Sequence, residues 1–106
     1  MKDESRLLEV LRRHQGRERA ITKSALARAL NITTRQVEKA IRCLIIEHGV
    51  SIASACDPPA GYFIVGSRDE AMRYRAQLIS RMRKLNERLH AVDSALARKI
   101  QGELFL

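Results

Sequence analysis

Arg35, Lys39 and Arg42 stand at i, i+4 and i+7, so on a helix they share one face. Three cations on one helical face suit phosphate, and the arginine fork also matches the paired acceptors of a guanine edge. The other chemistry-bearing side chains do not converge. His14, His48 and His90 fall on separate segments, Cys43 lies off the apolar stripe of its segment, and Cys56 lies in a loop-like stretch. No pair of them has the spacing of zinc ligands, and no glycine-rich loop is present to cradle a nucleotide. His48 reads as a partly buried helix-end residue. The expectation is a binding protein with no catalytic residues, no metal and no cofactor.

The composition agrees with a polyanionic partner. In 106 residues, 20 Lys and Arg oppose 12 Asp and Glu for a formal charge of +8, and 15 of the 20 cations are Arg. Hydrophobic residues make up 45%, enough for a core and against wholesale disorder. Aromatic residues make up only 4%, with no Trp, which leaves no stacking platform for single strands. No apolar run approaches the roughly 18 residues of a membrane span. The start, Met-Lys-Asp-Glu, lacks the apolar stretch of a secretion signal, and two cysteines make no disulfide framework, so a cytoplasmic location is expected. The charge is spread evenly: residues 1–66 hold 11 cations and 7 acids and residues 67–106 hold 9 and 5, giving +4 each.

The elements that must position the basic triplet follow from hydropathy period and caps. Leu7, Leu8 and Leu11 predict a first helix from about Asp3 to His14, stopped by Gly16. The charged stretch 16–20 reads as a loop. Thr22 caps a short helix, Lys23 to Leu30, with Leu26, Ala27 and Leu30 inward; Asn31 suits a left-handed turn, and Ile32 plugs it. Thr33 and Gln36 form a capping box for a helix running to about His48, with Val37, Ile41, Leu44, Ile45 and His48 on the buried face and Gly49 as its stop. The alternating segment Val50–Ser54, the loop Asp57-Pro58-Pro59-Ala60-Gly61 and the segment Tyr62–Val65 predict a β-hairpin.

This order of helix, short helix, turn, helix and hairpin resembles the winged helix-turn-helix family, including the N-terminal domain of biotin repressors and small phage-type winged-helix proteins. The resemblance covers residues 5 to 66 and is most specific over "KSALARALNITTRQVEKAIR", where Leu26, Ala27, Leu30, Ile32 and Val37 occupy the family's apolar and small positions. Asn31 stands where the family usually has Gly. The resemblance implies that the helix after Thr33 enters the major groove of duplex DNA, with Thr33, Thr34, Arg35, Glu38, Lys39 and Arg42 facing the nucleic acid. In that role Arg35 reaches a base edge, Lys39 and Arg42 hold phosphates, and the two threonines donate to a phosphate at the helix start. The hairpin tip, residues 55–61, carries Asp57 and no Lys or Arg, so it is expected to brace the fold.

Ser67 and Glu70 form a second capping box, and no Pro or Gly follows until Gly102. About 33 helical residues to Ile100 would span roughly 50 Å. Leu78, Met82, Leu85, Leu89, Val92 and Leu96 are separated by 4, 3, 4, 3 and 4, a heptad seam expected to join two copies, with parallel and antiparallel pairing equally compatible. The expected fold class is therefore mainly α with a small β-hairpin: a winged helix-turn-helix domain over 1–66, a long coiled-coil-type dimerisation helix over 67–100 and a C-terminal tail over 101–106. In the tail, Gln101, Leu104 and Phe105 match a short peptide that resembles the bacterial sliding-clamp-binding motif, which implies a clamp ring as a possible partner. The function expected is that of a homodimeric, sequence-specific double-stranded-DNA-binding protein in transcription regulation or DNA replication of a bacterium or phage. The alternative is a non-enzymatic adapter that assembles a complex without touching DNA.

Overall fold

Thr22 and Thr33 each stop the backbone in an extended conformation and turn a hydroxyl onto the first turn of a helix, and between them they set out a helix-turn-helix. A computed structural model describes residues 2–105 of the chain, with side chains described over 3–102. Helix α1 spans Lys2–Leu11, α2 Lys23–Leu30 and α3 Thr34–Ile46; strands β1 (Ile52–Ala55) and β2 (Gly61–Ile64) follow, then helix α4, Arg68–Phe105. The chain is mainly helical with one antiparallel hairpin and a long C-terminal helix, the fold class read from its sequence. Residues 1–72 and 73–106 form two separate compact units.

In the first unit, α1 and α2 pack on α3. Leu7 and Leu11 of α1, Leu26, Ala27 and Leu30 of α2, and Val37, Ala40, Ile41 and Leu44 of α3 close the core with Ile52 of β1. Leu7, Leu11, Leu26 and Val37 are fully inaccessible to solvent. Burial of such a side chain contributes about 1.5–3 kcal/mol, which is what pins α3 in place. The turn between α2 and α3 is made as its residues suggest: Asn31 takes φ 54°, ψ 47° and caps α2, and Ile32 N donates to Ala27 O at 3.0 Å. The Thr33 box is complete: Thr33 Oγ1 accepts from Gln36 N at 3.1 Å, and Thr33 N donates to Gln36 Oε1 at 2.8 Å.

Several expectations need correction. Helix α1 ends at Leu11, short of His14, because His14 and Gln15 join the sheet: Ile64 N donates to His14 O at 2.9 Å and Gly16 N to Ile64 O at 2.8 Å. Ile21 and Tyr62 exchange a second backbone pair at 2.7 and 2.8 Å. The stretch read as a loop therefore lies along the outer edge of β2 at both its ends. In α3, Ile45 and His48 are exposed while Ala40 is buried, so the buried stripe runs 37, 40, 41, 44 and α3 stops at Ile46. Both strands start differently from expectation, at Ile52 and Gly61.

At the start of α4, Ser67 Oγ accepts from Glu70 N at 3.2 Å. The Glu70 carboxylate accepts from Gly66 N at 2.8 Å and from Arg17 N at 2.9 Å, which ties the end of the hairpin to the α1–α2 connection. In the second unit, α4 continues through Gly102 to Phe105, past the expected end at Ile100. A glycine costs a helix only about 1 kcal/mol relative to alanine and does not by itself end one.

Candidate nucleic-acid interface

Arg35, Glu38, Lys39 and Arg42 lie on the side of α3 away from Val37, Ile41 and Leu44, and Thr33 and Thr34 stand at its start. Thr33, Thr34, Arg35, Glu38, Lys39 and Arg42 are all exposed. Since the buried stripe fixes the rotation of α3 about its axis, the outward direction of this face follows from core packing. Arg35, Lys39 and Arg42 make no hydrogen bond or ion pair among the described residues, so their donors stand open to solvent.

Two of the expected contacts are otherwise engaged. The Glu38 carboxylate forms an ion pair with Lys23 Nζ, joining α3 to the start of α2. The hydrogen bond from Lys23, followed by its charge, holds the Glu38 carboxyl below its ordinary value, and the same contact raises Lys23. Thr33 Oγ1 is likewise committed within the capping box, since it also donates to Gln36 Oε1 at 3.2 Å. Glu38 and Thr33 thus position the helix, while the side-chain polar groups of Thr34, Arg35, Lys39 and Arg42 are left open to solvent. With Glu38 neutralised in place, the outward face is cationic.

Sequence reasoning missed a residue at the hairpin. The tip has no cation of its own, yet Arg17 reaches it from the α1–α2 connection: Nη1 donates to Pro59 O at 2.6 Å and Nη2 to Asp57 O at 2.7 Å. One planar guanidinium spans both carbonyls across the tip, whose Pro58–Pro59 peptide is cis. The tip is held by a residue some forty positions away that no local signal reveals. Arg6 acts similarly at the end of α2, donating to Leu30 O at 2.7 Å.

Cys43, Glu47 and His48 place one donor atom each within 4.8 Å of one another at the end of α3, closer than their sequence spacing suggests. Cys43 Sγ donates to Glu47 Oε2 at 3.2 Å. That hydrogen bond, with desolvation and the negative charges of Glu47 and Glu4, pushes the thiol up to about 11. The proton therefore stays on sulfur at neutral pH, which makes this thiol a poor nucleophile.

On α4 the seam residues Leu78, Met82, Leu85, Leu89, Val92 and Leu96 are 39–68% exposed. Gln101 is exposed; the side chains of Leu104 and Phe105 lie outside the described residues. Among the described residues, no helix is long and apolar enough to cross a membrane. Comparison of the chain with protein-family models, with curated proteins and with solved structures gives no match.

Proposed function

We propose that the protein binds duplex DNA as a homodimer, with α3 as the reading helix and the seam of α4 joining the two copies. The observation that carries this reading is the outward face of α3: Arg35, Lys39 and Arg42 exposed in a row, unpaired within the described chain, on a helix whose opposite side is locked into the core. An α-helix fits the major groove. Arg35, in the first turn of the helix, takes a base edge; Lys39 and Arg42 take phosphates, and Thr34 hydrogen-bonds a phosphate near the helix N-terminus. Such a dimer serves transcription control or replication by occupying a roughly two-fold site.

The test is binding-site selection with the purified full chain, followed by anisotropy titrations on the selected duplex and on scrambled duplexes across a salt series. R35A is expected to cost about 1–3 kcal/mol on the selected site and to relax its preference. K39A is expected to weaken all duplexes alike and to flatten the salt slope by about one. Failure to select any duplex, or indifference of binding to both substitutions, overturns the reading and favours the adapter.

A further inference from the structure

The residues flanking the seam of α4 specify a direction of pairing. A seam spaced 4, 3, 4, 3, 4 makes Met82, Leu89 and Leu96 the a positions of a heptad and Leu78, Leu85 and Val92 the d positions. The next a position before it is Arg75 and the next d position after it is Lys99, so charged residues bound the apolar stretch at both ends. Within those bounds Arg81 and Arg88 are g positions, and Asn86 and Asp93 are e positions.

We propose that α4 pairs in parallel and in register with α4 of a second copy, with Arg88 of each chain facing Asp93 of the partner subunit. The inference rests on the homodimer reading above and adds its orientation. In a parallel pair, a g residue meets the e residue five positions on in the other chain, so Arg88 meets an opposite charge on both sides of the seam.

Neither group has such a partner in its own chain. Arg88 has Lys84, Leu85, Ala91 and Val92 at three and four residues' distance, with no acid among them. The only acid or base at those distances from Asp93 is His90. Both are exposed, and the ion pairs among the described residues are Glu9–Arg12 and Lys23–Glu38.

The antiparallel alternative lacks this match. Laying all six seam residues against themselves head to tail puts Leu78 opposite Leu96 and Leu85 opposite Leu89, and g then faces g. Arg88 meets its own copy across the two-fold axis, and Asp93 meets Ile79. Sliding by one heptad uncovers two of the six seam residues either way: one slide sets them against Arg75 and Ala71 and puts Arg88 opposite Arg81, and the other sets them against Lys99 and Glu103 and relieves the repulsion. Orientation is thus set by two attractions in one arrangement against a like-charge contact in the other. A parallel zipper brings both reading domains in from the same end.

The test uses the full chain with both native cysteines replaced (C43S, C56S) and a single cysteine introduced in the seam, as L78C or as L96C. Sedimentation of the reduced protein first reads the dimer. Mild oxidation is expected to cross-link each single variant to itself, L96C to L96C and L78C to L78C. A dimer in which neither variant self-links, while an equimolar mixture links L78C to L96C, overturns the parallel orientation and leaves the homodimer reading standing. A monomer overturns both. Independently, R88D is expected to raise the dimer dissociation constant about tenfold, and R88D/D93R to restore it to within about twofold. An unchanged constant for R88D overturns the assigned ion pair.

Discussion

Lys23 at the start of α2 and Glu38 in α3 are bound to each other across the helix-turn-helix, so the one acid on the outward face of α3 is neutralised by the neighbouring helix. The pair has a pH signature. Glu38 is lowered, so its contribution is present above the ordinary carboxylate range and lost as pH falls through its depressed value. Lys23 is raised, so its contribution is present below the ordinary lysine value and lost as pH rises through its elevated one. Melting temperature against pH, measured for wild type and E38Q, is therefore expected to differ slightly near neutrality and to converge in acid. A gap that persists after Glu38 is protonated contradicts the pairing. The effect is small because both groups are exposed.

Arg17 and Gly61 hold the hairpin to the rest of the first unit. R17A removes two hydrogen bonds to the tip and is expected to cost about 1 kcal/mol and to speed amide exchange around residues 57–61. R17K recovers little, since an ammonium lacks the planar fork. G61A is harsher. Gly61 has φ +122°, and a Cβ there stands 2.0 Å from Ile21 O, so the Ile21–Tyr62 backbone pair must open. A loss above about 2 kcal/mol in chemical denaturation is expected; a near-neutral G61A contradicts the close approach.

Much of this arrangement is legible from residue types because it is local. Thr22, Thr33, Asn31 and the 37, 41, 44 stripe each act within a turn of their own position, and they fix α2, the turn and α3. What escapes is long-range. The edge pairing of His14–Ile21 with β2 depends on backbone groups that carry no side-chain signature. Arg17 on the tip, Glu38 on Lys23 and Glu70 on Arg17 N join positions far apart in sequence, and a charged residue in such a contact reads locally as solvated surface. Ile45 and His48 escape for different reasons: Ile45 lies about 80° around the helix from Val37, at the edge of the buried face, and His48 lies beyond the end of α3 at Ile46.

Cys43 supplies a chemical check on the end of α3. With its thiol raised to about 11 by Glu47 first and then by desolvation, alkylation by iodoacetamide at pH 8 is expected to lag behind that of exposed Cys56. The Cys43 rate continues to climb toward pH 11, and E47Q brings it closer to that of Cys56. Equal rates at pH 8 in the wild type contradict the hydrogen bond.

The account's central claim is that the basic face of α3, and not the charge of the chain as a whole, meets DNA. The most direct measurement compares two triple variants that lose the same charge, R35A/K39A/R42A on α3 and R83A/K84A/R98A on α4 away from its seam, by the slope of log affinity against log salt on one duplex. The α3 triple is expected to lose about three from the slope and most of the affinity, while the α4 triple stays within about one of the wild-type slope. Equal losses from the two triples, or a greater loss from α4, contradict the claim.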